Sequence, residues 1–321
     1  DEALAEVTEF FKSRGRELTE INRQQATLPS CCTKITNLIG TAPGMWFEKN
    51  GIRYVSMPGV PHEMKGMMEG YVLPQLQKRL QLPCIVHKTL LTSGIGESFL
   101  ADMIEDWENK LPANIKLAYL PNYGMVRLRL TGVDNDKAKL ETQISQQFEV
   151  LQALVKDYLV TNKDEPMEQV IAEMLLERNE TITTAESCTG GYIAHLLTSI
   201  PGSSAYYSGS IISYSYEAKE NMLLVDKHTL ETKGAVSEEV VTQMVKGALK
   251  QMKTPYAIAV SGIMGPGGAT DEKPVGTVWA AVGSDEKIVT HKFHFRFDRM
   301  KNIEWTAISV LNLLRRFIMG Y

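Results

Sequence analysis

The stretch TTAESCTGG at residues 183–191 sets a carboxylate, a hydroxyl and a thiol side by side, Glu186, Ser187 and Cys188, directly ahead of Thr189, Gly190 and Gly191. The pattern upstream predicts a strand over 180–185 and the pattern downstream a helix over about 190–200, so these side chains stand where a strand ends and a helix begins. Backbone N–H groups near Thr189, Gly190 and Gly191 would then point at whatever Ser187 attacks, and the two glycines let that backbone approach a ligand closely. That is an oxyanion hole in outline. The same spacing also suits a plain helix cap, in which a hydroxyl bonds the first turn and the glycines relieve crowding.

A hydroxyl nucleophile needs a base. In SYSYEAKENML a second strand ends and a helix starts, delivering Tyr214, Glu217 and Lys219 to another strand end. If the two strands are neighbours, Lys219 could reach Ser187. An unperturbed lysine is neutral only about 4 times in 10,000 at pH 7, a cost of roughly 4.6 kcal/mol, so burial or a cationic neighbour such as a pyridinium substrate must offset much of it. Taken alone, Lys219 reads more readily as a solvated helix residue than as a base. A thiol variant of the same chemistry would use Cys188, with Glu186 and Lys219 as base and orienter. Further on, SGIMGPGGATDEKPVGTVW (261–279) follows a strand and precedes another. Ser261, Gly262, Gly265, Gly267 and Gly268 there could cradle a phosphate through backbone amides, although no G-K-[ST] ends the loop.

The 321 residues suggest about two domains, and 44% hydrophobic with 22% charged residues suffices for ordinary cores. No apolar run is long enough to cross a bilayer, and DEALAEVTEFFKSRGRELTE reads as an amphipathic helix, so a soluble, cytoplasmic protein with no membrane partner is expected. A net charge of −4 without basic blocks gives no phosphate-neutralising face, and nucleic acid is not an expected partner. Cys31, Cys32, Cys84 and Cys188 lack metal-ligand spacing, and His291 and His294 project to opposite faces of one strand, so no metal is expected.

Three segments emerge along the chain. Residues 1–80 hold GTAPG and PGVPHEM loops, two short strands and some helices, enough for only a thin core. Residues 81–160 read as α+β: a strand, the GIGES turn and a helix, then a hairpin turning at Pro121 to Gly124 with Val126, Leu128 and Leu130 on one face and Arg127 and Arg129 on the other. Residues 161–321 alternate helix and strand, ending in a helix with Ile303, Ala307, Val310, Leu311 and Leu314 inward. This is an α/β layered pattern, in which ligands bind where strands end and helices start.

The motifs TTAESCTGG, GSSAYY, YSYEAK, GAVSEEVV, SGIMGPGGATDEKPVGTVW and Asp298-Arg299 resemble, in order and spacing, the C-terminal nicotinamide-nucleotide amidase domain of the CinA family. GIGES with LAYLPNYGMVRLRLTG is similar to its KH-type middle domain, while NRQQATLP, GTAPG and PGVPHEM are similar to part of its molybdopterin-binding-like N-terminal domain. The resemblance implies the arrangement 1–80, 81–160 and 161–321 for these three domains. It further implies hydrolysis of the carboxamide of nicotinamide mononucleotide to nicotinic acid mononucleotide and ammonia in NAD recycling, with Ser187 as nucleophile, Lys219 as base, Tyr214 beside them, Arg299 toward the phosphate and no cofactor. A homodimer is also implied. Two departures stand out. The family's GGLGPT-type segment does not occur here, so the ADP-ribose pyrophosphatase activity of a complete N-terminal domain, for which a divalent metal would be expected, is not carried over. A second family arginine, one turn after Arg299, is replaced by Ile303. The alternative from another class is a non-catalytic nucleotide-binding or nucleic-acid-associated regulatory protein.

Overall fold

A strand's alternation decides which layer each side chain enters, and that single rule places the chemistry of this chain. The computed structural model describes residues 2–80 and 82–321. It divides into two units, Asp1–Cys84 and Ile85–Tyr321.

In the first unit, α1 (Glu2–Lys12) and α2 (Glu20–Gln24) precede an antiparallel sheet of β1 (Thr33–Ile35), β2 (Gly44–Lys49) and β3 (Ile52–Ser56), in that order. α3 (Pro61–Met67), a π-helical turn at Met68–Val72 and α4 (Leu73–Arg79) follow. The sheet has one strand more than the two expected, because β1 is too short to show a period. The core is thin, as expected: Ile35, Trp46, Met67 and Val72 are its buried members.

The second unit contains two sheets. The first has the order β5-β6-β4-β7, formed by β4 (Cys84–Ser93), β5 (Ile115–Asn122), β6 (Met125–Asp134) and β7 (Leu159–Thr161). α5 (Glu97–Glu108) and α6 (Lys137–Leu154) pack on it through Leu100, Ile104, Ile144 and Phe148 against Val126, Leu128 and Leu130. The hairpin is tighter than expected. Pro121 still pairs with Val126 within the ladder, and Tyr123 and Gly124 alone turn it, both at positive φ, as the twist of a two-residue hairpin turn requires.

The other sheet runs β12-β11-β10-β8-β9, with β8 (Ile182–Glu186) parallel to both β9 (Tyr207–Ile212) and β10 (Tyr256–Gly262). β11 (Thr277–Gly283) and β12 (Ile288–His294) extend it antiparallel. One face packs α7 (Met167–Arg178), α8 (Tyr192–Ser199) and α12 (Arg299–Ile318). The opposite face packs α9 (Tyr216–Leu223), α10 (Lys227–Lys233) and α11 (Glu238–Met252). Ile258 and Val260 belong to the first core and Ala257 and Ala259 to the second, so a parallel strand buried on both sides reads as a nearly continuous apolar run.

The helix α9, which carries Lys219, is fixed at both ends. Ser215 caps its start, accepting from the Ala218 N–H at 3.1 Å. Its end turns through Leu224 in the left-handed region at φ +57°, and Val225 then buries and returns its N–H to the Lys219 carbonyl. α11 lies against that end so closely that a Cβ on Gly247 would sit 1.9 Å from the Leu223 carbonyl oxygen. Backbone cannot yield as a side chain can. Gly247→Ala is therefore expected to push α9 off its seat and destabilise the unit by about 2 kcal/mol or more, on the order of 5 °C in melting temperature. A thermal melt checks it, and an unchanged midpoint would show that the two helices part without penalty.

Candidate active site

β8 ends at Glu186, and the next residue, Ser187, donates its N–H to Val260 O on β10 at 3.1 Å while Ser213 N on the other side donates to Glu186 O at 2.9 Å. The three parallel strands therefore finish at one edge. Ala185 faces the core shared with α9 and α11, and the alternation sends Ser187 to that same face while Glu186 points toward α8. The carboxylate and the hydroxyl are thus directed to opposite layers.

On the α9 side the amine of Lys219, 1% exposed, lies 2.9 Å from Ser187 Oγ. Lys219 shares an inward stripe with Leu223, and its Nζ also donates to Ser213 O at 2.7 Å and Tyr214 O at 3.1 Å. These bonds involve no carboxylate. Burial pushes the lysine down from 10.5 to about 8. In the neutral amine, two N–H groups satisfy the two carbonyls and the lone pair is left for the Ser187 proton. The solvated-lysine reading does not hold.

Glu186 does not face a ligand. Its fully buried carboxylate accepts from Thr189 Oγ1 at 2.6 Å, Gly191 N at 3.0 Å, Ile193 N at 3.1 Å, Ala194 N at 2.8 Å and Thr184 Oγ1 at 3.2 Å. It caps α8 from the preceding strand and satisfies N–H groups that the helix start leaves open. This corrects the expected use of the glycine amides, since Gly191 N is taken by Glu186 and Gly190 N by Ser187 O at 3.2 Å. The amides of Cys188 and Thr189 take no part in these bonds, which moves any oxyanion pocket one or two residues toward Ser187. Gly190 and Gly191 serve the turn itself, at φ +61° and +97°.

The thiol variant fares poorly on the same geometry. Cys188 is buried, and that burial drives its thiol up to about 12, far from a thiolate at neutral pH.

The glycine loop after β10 comes to the same edge. Ser261 follows Val260, the residue whose carbonyl holds the Ser187 amide, and Gly262 is the last residue of the strand. Arg299, at the start of α12, donates from Nη1 to Gly265 O at 2.8 Å and from Nη2 to Tyr214 Oη at 3.3 Å. Three of its five N–H groups remain for an anion. No carboxylate pairs with it among the described residues, so it is not tied up in a surface salt bridge. Tyr214 meets the lysine through its carbonyl rather than its hydroxyl, and the residue is 64% exposed. Gly267 and Gly268 lie farther along the loop, with open space where a Cβ of Gly267 would be. Ile303, in place of the second family arginine, packs half-buried against the core formed with α7 and α8.

Two contributors have little or no signature in the sequence. The carbonyls of Ser213 and Tyr214, which hold the amine, leave no trace in side-chain identity. Asn302, fully buried, bonds Met264 O and Phe297 O. Its signal is a polar residue on the inward stripe Asn302–Thr306–Val310. Among the described residues, no group of three or more His, Cys, Asp or Glu could hold a metal ion. Among them, too, no helix is long and apolar enough to cross a membrane.

Residues 164–318 match the CinA C-terminal domain family and residues 87–161 the damage-inducible protein CinA KH domain family. A CinA-like protein of Cytophaga hutchinsonii is 45% identical over 98% of this chain and 76% of its own length. A CinA-like protein of Flavobacterium psychrophilum is 42% identical over 98% of this chain and 74% of its own length. Among solved structures, a CinA superfamily protein from Klebsiella pneumoniae is 33% identical, covering 49% of this chain and all of that one at a TM-score of 0.47. With relatives this similar over nearly its full length, and with both domain families matched in order, the chain belongs to the CinA family.

Proposed function

We propose that the C-terminal domain is an amidohydrolase that converts nicotinamide mononucleotide to nicotinic acid mononucleotide and ammonia. The observation that carries this reading is the buried Lys219 amine, 2.9 Å from Ser187 Oγ and held by two carbonyls. Family membership supports the choice of reaction class, and a cationic pyridinium suits a site whose base must stay uncharged.

Neutral Lys219 takes the Ser187 proton as Oγ bonds to the carboxamide carbon. The resulting oxyanion faces the amides of Cys188 and Thr189. The carbon–nitrogen bond then breaks, and Lys219 returns the proton to the departing nitrogen, which leaves as ammonia. Water attacks the ester, again giving a proton to Lys219, and Ser187 Oγ leaves with that proton as the acid is released. Each proton accepted by the lysine is handed on within the same half-reaction, so the amine ends neutral. The substrate's ring charge disfavours the ammonium and favours attack, serving both ends of the step. Arg299 and the glycine loop bind the phosphate.

With the amine at about 8, roughly a tenth of the enzyme carries a neutral lysine at pH 7, against a few in ten thousand for an unperturbed one. kcat/KM should therefore climb close to tenfold per pH unit below about 8 and level off above it. The stability sign follows from the same shift. The unfolded chain binds the proton up to 10.5 and the folded chain only to about 8, so burial destabilises fully below 8 and this penalty fades as pH rises toward 10.5. Ammonia release measured from pH 6 to 9 tests the profile, and Lys219→Ala should lower kcat by at least about 10³-fold with nearly unchanged mononucleotide affinity. Retained turnover in that variant would remove Lys219 as base; no ammonia from the unaltered chain would favour a non-catalytic nucleotide-binding role.

Nicotinamide riboside, which lacks the phosphate, should be turned over with a KM raised tenfold or more and a kcat within a few-fold. Equal efficiency for riboside and mononucleotide would leave Arg299 without a phosphate to bind.

A further inference from the structure

Asn302 lies one turn into α12 and is fully buried, yet every polar group of its side chain is used. Nδ2 donates to Met264 O at 3.1 Å and to Phe297 O at 3.0 Å, and Oδ1 accepts from Phe297 N at 3.2 Å. Met264 immediately precedes Gly265, the residue whose carbonyl accepts from Arg299. Asn302 and Arg299 are three apart on one helix, so they stand on the same side and grip successive carbonyls of the glycine loop. The inner grip is dry and fully bonded. The outer one belongs to a long, exposed side chain with much rotamer entropy to lose on binding.

We propose that Asn302 is a positioning residue: it sets the glycine loop against the start of α12 and thereby holds Arg299 and the Gly265 backbone in register for the substrate's anionic end. This rests on the amidase reading for its kinetic consequence but not for its structural one. Asn302 touches neither Ser187 nor Lys219, whose contacts come from β8, β9 and α9. Losing its amide would strip two carbonyls of their donor and release the loop, while the serine–lysine pair stays assembled. Its effect should fall on substrate affinity and spare the chemical step.

The test uses the full chain with Asn302→Ala, Arg299→Ala, their double variant, and Val310→Ala as a control that opens the same helix's core without touching the loop. Asn302→Ala should raise KM for nicotinamide mononucleotide tenfold or more, keep kcat within about twofold and leave the pH limb in place. Added to Arg299→Ala it should change KM by less than threefold, because both act through one contact. Val310→Ala should lower the melting temperature with KM unmoved. Independently of any substrate, hydrogen exchange across residues 263–276 should quicken at least tenfold in Asn302→Ala and not in Val310→Ala. Unchanged exchange, or KM effects that multiply in the double variant, would overturn the positioning role. If the unaltered chain releases no ammonia, the amidase reading fails, and the exchange measurement still decides the role of Asn302.

Discussion

An amine buried without a bonded carboxylate is costly, and the C-terminal α/β region is built to keep one there. Among the described residues, Lys219 has only oxygens of Ser187, Ser213 and Tyr214 as partners. Carbonyls satisfy its N–H groups without supplying the full negative charge that would lock it as an ammonium, so desolvation dominates and the amine falls to about 8. That balance needs α9 in one place. The capping hydroxyl of Ser215, the left-handed turn at Leu224 and the glycine contact from α11 all fix the same helix. The left-handed leucine is a strained choice in the terms of backbone sterics, tolerated where the following valine buries.

The second constraint is the fate of the α8 N-terminus. A helix start is an anion site by default, and here the side chain of Glu186 already takes its N–H groups. Internal capping has two consequences: it stiffens the turn that carries Ser187, and it leaves only the amides nearest the serine uncommitted. On the amidase reading the amides left for a developing negative charge are therefore few and close to Ser187, which suits a tetrahedral oxyanion better than a phosphate. In the proposed reaction the larger anion, the substrate's phosphate, is assigned to Arg299 and the glycine loop, on a different element. On that reading, separating the two duties lets the chemical step and substrate affinity respond to different residues.

Much of this is legible in the order of residues. The α/β alternation, the hairpin with its buried Val126, Leu128 and Leu130, the inward face of the last helix and the strand-to-helix setting of Ser187 all follow from periods of two and 3.6. β1 is not legible because three residues show no period, and the hairpin turn comes later than expected because Pro121, at the end of its strand, looks like punctuation. The glycines at 190 and 191 suggest room for a ligand, but positive φ in a tight turn accounts for them. Glu186 suggests a group facing the substrate, because a side-chain identity carries no direction until the strand's parity is known.

By itself the sequence determined which residues could do chemistry and on what kind of element each stands, since composition and periodicity are local properties of the chain. The tertiary structure alone decided that Ser187 and Lys219 meet, because their distance depends on β8 and β9 being parallel neighbours ending at one edge, a pairing between distant residues that no local pattern encodes. It also decided the ionisation of Lys219. A lysine's charge answers to the water and dipoles around it, and those are set by helices and carbonyls from elsewhere in the fold.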